Sequence, residues 1–161
     1  MQTDDRSKAI EYVLRSVRDN DVRFVRLWFA DILGNLKGFA LNAAELGNAF
    51  ERGMGFDGSS IEGFARIDES DMVARPDPAT FQVLPWRPRE NAVGRMFCDV
   101  LTPEGDVFEG DPRSVLKRNL KRASDLGYTF YVGPEIEHFY FKGPDGTEPF
   151  QRLTCRVSPA F

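Results

Sequence analysis

At 161 residues, 42% hydrophobic and with 14 Phe, the chain has enough apolar surface for a packed core, and it is not a disordered segment. Its formal charge of −4 gives no support to a nucleic-acid partner. No apolar run approaches a membrane span, the start MQTDDRSK lacks a secretory h-region, and Cys98 and Cys155 form no CxxC, so both read as reduced thiols and the expected compartment is the cytoplasm.

In chain order, Ser7 to Arg18 places Ile10, Val13, Leu14 and Val17 at helical spacing, with Ser7 as a cap and Asn20 near the stop. An apolar strand follows from Val22 to Ala30. Then come a turn over Asp31 to Asn35 and a second strand from Leu36 to Leu41, together a hairpin with a loop longer than two residues. Asn42 caps a short helix that ends at Gly53. From Gly53 to Pro78 the chain is rich in Gly, Ser and Asp and shows neither period, so it reads as a long functional loop. Thr80 to Trp86 and Ala92 to Val100 are two further strands, and Val107-Phe108 begins another short one after the TPEGD turn. These elements describe a small α+β domain, a grasp-like sheet wrapped around one helix, with a boundary at residues 104 to 112.

Asp111-Pro112 then supplies an N-cap and an N1 proline for a helix from Arg113 to Leu126 closed by Gly127. Val115, Leu116, Leu120, Ala123 and Leu126 are its expected buried face, and Lys117, Arg118, Lys121 and Arg122 its solvent side. It leads into YTFYVGPEIEHFYF, Tyr128 to Phe141, which reads as a long buried strand. No partner strand is visible after it, so the second domain reads as cut off.

Along that strand Glu135 and Glu137 point to one side with Phe139 and Phe141. Two carboxylates about 7 Å apart on an apolar face repel each other and lose hydration, which protons, an arginine or a cation would offset. A hard divalent ion such as Mg²⁺ or Mn²⁺ fits best; the other reading is a sheet face that meets water or arginines. His138, the one histidine, faces away with Ile136 and Tyr140 and reads as a packed or surface residue, which argues against a zinc site or a Ser-His-Asp triad. Gly53 to Gly58 fits GxGxxG letter by letter, but a helix precedes it and a loop follows, the reverse of a dinucleotide fingerprint, and no GK[ST] follows for a P-loop. Asp57-Gly58-Ser59-Ser60 is a turn by its composition, or else it presents the Asp57 carboxylate and Ser60 hydroxyl beside glycines that admit a ligand. Glu69-Ser70-Asp71 adds loop acids that ordinarily are solvated.

Taken in order, RFVRLWFADILGNLKG, GFDGSSIEGFARIDESDM, RPDP, FCDV, EGDPRSVLKR and GPEIEHF resemble the bacterial type I family of glutamine synthetases, over about Val22 to Phe141. The resemblance implies an N-terminal helix over residues 1–20, a β-grasp domain over 21–110, and the first helix and strand of a truncated catalytic domain over 111–161. It also implies ATP-dependent ligation of ammonia to glutamate through γ-glutamyl phosphate, in double rings of identical subunits with each site at a subunit interface. By the same resemblance Glu135 and Glu137 are ligands to two different Mg²⁺ or Mn²⁺ ions, and Asp57 and Ser60 bind ammonium in the neighbouring subunit's site, Asp57 taking its proton. Glutamate, ammonium and ATP are the implied substrates. The tail QRLTCRVSPAF does not look like the family's continuation, and the 161-residue chain alone is expected to be inactive. The alternatives are a non-catalytic module that docks into full-length rings, a gene remnant, and a relative that ligates glutamate to polyamines or other amines.

Overall fold

The computed structural model describes residues 2–59 and 71–146, divided into two units, Met1–Tyr128 and Thr129–Phe161. In chain order the first unit contains α1 (Gln2–Asp19), β1 (Val22–Ala30), β2 (Leu36–Asn42), α2 (Leu46–Arg52), β3 (Met54–Asp57), β4 (Asp71–Pro76), β5 (Gln82–Val83), β6 (Ala92–Leu101) and α3 (Pro112–Asp125).

β1 alternates: Val25, Leu27 and Phe29 are buried, while Arg26 between the first two is exposed and Trp28 between the last two is half-buried. Its antiparallel partner is β2, as the hairpin pattern predicts, and β6 lies parallel on its other side with Trp28 beside Phe97. The described strands run in the order β2-β1-β6-β4-β3. β4 and β5 share the second edge of β6, β5 against Gly94 and Arg95 and β4 against Cys98 to Leu101. The two central strands start side by side, where the Asn91 amide donates to Asp21 Oδ2 at 3.0 Å. The parallel pair at the centre requires crossovers, and α1 and α2 lie on the face those crossovers cover. Val13 and Val17 of α1 join Leu46, Ala49 and Phe50 of α2 in one apolar cluster with Val25, Leu27, Met96 and Cys98. The grasp-like α+β sheet is therefore present, with two helices on its core where one is expected from the sequence.

The hairpin turn is built on Asp31, which is almost wholly buried. Its carboxylate accepts from the Leu33 and Asn35 amides at 3.0 and 2.8 Å and from the Asn35 side chain at 3.0 Å, and Lys37 Nζ lies 3.8 Å away. Burial raises its pKa, but these donors outweigh it and hold the carboxyl below its ordinary value.

Several elements differ from their sequence reading. The first helix begins at Gln2 instead of Ser7, with Asp4 and Asp5 in its first turn, where acids suit the helix dipole. Within the stretch read as loop, β3 and β4 pair antiparallel. These are runs of four and six residues, too short and too rich in Gly and Asp to show a period on their own. Thr80 to Trp86 contains only the two-residue β5, because Pro78 opens a 3-10 turn over Pro78–Thr80 and Pro85 has no amide to continue a ladder. The short strand expected at Val107-Phe108 is a single bridge from Leu101 to Val107. On α3 the expected buried face is open to solvent: Val115, Leu116, Leu120 and Leu126 are all exposed, and Ser114 is the buried residue.

Tyr128 to Phe141 departs furthest. Outside a bridge at Phe141 it forms neither helix nor ladder among the described residues, and Tyr131, Ile136 and Phe139 are each more than four-fifths exposed. Among the described residues nothing forms a ladder with it: a strand is defined by its pairing, and aromatic composition alone cannot supply the partner.

Candidate functional site

Asp57 ends β3, at the point where the sheet gives way to the glycine-rich loop. Gly53 makes this path possible. It closes α2 with its amide on Ala49 O at 3.0 Å and turns at φ +75, a conformation that L side chains rarely adopt. A Cβ there would lie 2.4 Å from Val73 Cγ1. Asp57 is exposed, and the Ser59 amide donates to its Oδ1 at 2.8 Å, the Asx turn that the local composition predicts. Its register partner on β4 is Asp71. Two carboxylates opposite each other on paired strands are unfavourable for the sheet itself, and they make this end of the hairpin electronegative. Ser60 and the acids up to residue 70 lie outside the described residues.

Glu135 and Glu137 belong to the second unit and are exposed. The apolar face expected around them is uncovered, since Phe139 is exposed and Phe141 about half so. His138 and Tyr140 pack edge to face at 4.8 Å, in keeping with the side assigned to both. Carboxylate oxygens are the donors that Mg²⁺ and Mn²⁺ prefer, so the pair suits part of a coordination shell. Such an ion takes about six ligands, and among the described residues no group of three His, Cys, Asp or Glu side chains gathers.

Other chemistry-bearing residues have structural roles. Cys98 is fully buried, and burial with the neighbouring Asp99 charge pushes its thiol up to about 12, which rules out a nucleophile at neutral pH. Cys155 lies outside the described residues. A groove of about 440 Å³ lined by Tyr12, Ser16, Phe81 and Gln82, among others, includes none of the predicted site residues. Among the described residues no helix is long and apolar enough to cross a membrane.

The sequence reading missed a set of charged residues at the base of α3. Arg113 Nη2 meets Asp77 Oδ2 at 2.5 Å and its Nε lies 3.3 Å from Asp99 Oδ1, while Lys117 Nζ reaches Asp99 at 2.7 Å. Lys117 is exposed, as the solvent-side reading expects, and pairs with Asp99 as well. The available signal was Asp77-Pro78, the same Asp-Pro pairing that announces the cap at Asp111. Asp111 is fully buried. Burial raises its carboxyl above the ordinary 3.8, against hydrogen bonds from the Val100 and Arg113 amides.

The model of the glutamine synthetase β-grasp domain matches residues 21–103, and that of the glutamine synthetase catalytic domain matches residues 109–158. The second match runs into the tail that had read as unlike the family. Glutamine synthetase of Mycolicibacterium smegmatis is 60% identical over 149 residues, 90% of this chain and 33% of that protein. The Methanosarcina mazei glutamine synthetase is 50% identical over 144 residues, 89% of this chain and 32% of that protein. Among solved structures, a GmaS–ADP complex superposes with a TM-score of 0.64 at 29% identity, over 70% of this chain and 25% of that one. The chain thus spans about a third of the length of the curated relatives it matches. With one domain model covering the grasp sheet and the next continuing through α3 and the dicarboxylate segment, the chain belongs to the glutamine synthetase family.

Proposed function

We propose that this chain is the part of an ATP-dependent glutamate–ammonia ligase that supplies the ammonium-side loop and the first two metal ligands. Residues 21–110 form its grasp domain, and the catalytic domain starts at 111. The observation that carries the reading is the exposed Asp57 carboxylate opposite Asp71 at the strand ends, where the sheet gives way to the glycine-rich loop.

On this reading ammonium is drawn to the strand ends that carry Asp57, with Ser60 as the other residue that would bind it. Asp57 accepts one of its protons, leaving a neutral nitrogen whose lone pair attacks the acyl carbon of γ-glutamyl phosphate as phosphate departs. The Ser59 amide on Oδ1 helps to hold the carboxylate's orientation. Glu135 and Glu137 would each contribute an oxygen to one of two Mg²⁺ or Mn²⁺ ions. When bound, such ions neutralise the charge that spreads over a transferring phosphoryl group. ATP and glutamate are the remaining substrates, and assembly into rings of identical subunits brings the Asp57 loop to a neighbour's site.

The test is Asp57→Asn in a full-length relative that carries these residues. Glutamine formation should fall about a hundredfold or more, with a raised KM for ammonium and unaltered ATP binding. Unchanged ammonium kinetics would overturn the assignment.

A further inference from the structure

α3 is attached to the grasp sheet in an unusual way for a helix. Its apolar side chains, Val115, Leu116, Leu120 and Leu126, are exposed, so among the described residues of the first unit apolar burial does not seat it. Polar and charged groups do. The Asp111 carboxylate caps the helix through the Arg113 amide at 3.1 Å and also accepts the Val100 amide of β6 at 3.3 Å. Ser114, buried beneath the first turn, donates its hydroxyl to Asp111 O at 2.8 Å. One guanidinium, that of Arg113, spans Asp77 at the end of β4 and Asp99 within β6, and Lys117 Nζ reaches both Asp99 oxygens at 2.7 Å.

These pairs are not ordinary surface ion pairs. The side chains of Arg113, Asp77 and Asp99 are exposed by 25, 23 and 25%, so solvent screening is reduced. A planar guanidinium shared between two carboxylates on different segments also fixes direction, whereas an apolar contact tolerates sliding. Asp77 belongs to the same run of chain as β4, whose other end faces Asp57. α3 in turn closes at Gly127, with φ +81, and the Tyr128 amide bonds Ala123 O at 2.9 Å, where the first unit ends and the chain continues to Glu135 and Glu137.

We propose that Arg113 is a positioning residue: by bridging Asp77 and Asp99 it sets α3 on the grasp sheet by charge, and so fixes the point from which the chain enters the Glu135–Glu137 segment. Its importance for chemistry rests on those glutamates being metal ligands, but the joint itself does not, and it is tested without any activity assay.

The experiment measures distances between paired spin labels in the 161-residue chain, with Cys155→Ser and the buried Cys98 left in place. One pair, Glu51→Cys with Ser124→Cys, reports α3 against the sheet; a control pair, Glu11→Cys with Glu51→Cys, reports the sheet's own helices. The α3 pair should give one narrow distribution that broadens at least about twofold in Arg113→Gln and by less in Arg113→Lys, which can meet one carboxylate at a time. The control should not change. Asp99→Asn with Arg113 intact should broaden the α3 pair alone, because it removes the other half of the same joint. This arm decides the matter if Arg113→Gln does not fold. An α3 distribution that stays narrow in Arg113→Gln or in Asp99→Asn would overturn the proposal, as would equal broadening of both pairs, which would make Arg113 a general stabiliser. Failure here leaves the ligase reading standing, and failure of the Asp57→Asn test leaves the joint standing.

Discussion

Leu27 and Phe139 sit in stretches that look alike as sequence, apolar runs bounded by turns, and they end in opposite environments. Leu27 is fully buried between β2 and β6 under two helices, whereas Phe139 is 84% exposed on a segment without a described ladder partner. An apolar pattern states which face a segment will bury. What covers that face must come from elsewhere in the fold. In the first unit the covering elements are present; in the segment after Tyr128 the described residues provide none.

Substitutions should reproduce this contrast. Leu27→Ala removes a fully packed side chain and should destabilise the first unit by about 3–4 kcal/mol in urea unfolding. Phe139→Ala should change the same transition by less than about 0.5 kcal/mol. Comparable losses at both positions would mean that the segment packs on the sheet after all.

Next in size is Gly53→Ala. Its Cβ would meet Val73 at 2.4 Å on a backbone at positive φ, so a loss of about 2 kcal/mol is expected, with β3 and the Asp57 turn displaced. Full stability in that variant would remove the argument that Gly53 sets the path into the loop.

The smallest effects are those of pH, and two buried carboxyls should act in opposite directions. Asp31 has a folded pKa below its ordinary 3.8, so its contribution is present above that value and is lost as pH falls through the folded pKa. Asp111 has a folded pKa above 3.8, so its contribution is full below that value and is lost as pH rises through the folded pKa. Urea midpoints measured from about pH 2 to 6 should therefore lose their acid-side fall in Asp31→Asn and their fall at the higher end in Asp111→Asn. Parallel shifts of the whole curve in both variants would contradict these assignments.

Much of the first unit was legible, because its signals are local. The alternation of β1 and β6, the cap at Asn42 and the Asp111-Pro112 start of α3 each follow from neighbouring residues. What escaped depends on partners distant in sequence. β3 and β4 are strands because β6 offers an edge to β4, which no count of their own residues reveals. The exposed stripe of α3 was assigned inward on periodicity, yet the fold seats the helix by Asp77 and Asp99, 36 and 14 residues away from Arg113 in sequence by residue number. The candidate site divides the same way. The Asx turn at Asp57 is a local property and is present, whereas nothing near Glu135 and Glu137 in sequence shows what completes a shell around them.

The most direct test of the proposed site uses a full-length relative with these residues, since the account has Asp57 serving a neighbour's site and Glu137 its own. Asp57→Ala rings and Glu137→Ala rings should each lose nearly all glutamine formation, about a hundredfold or more. The two are then dissociated and reassembled together, with subunit exchange verified by mass. Recovered activity is the predicted result, because some interfaces then pair an intact loop from one subunit with intact glutamates from the next. Verified exchange with no recovery would contradict the account, since a site built within one chain cannot be repaired by mixing.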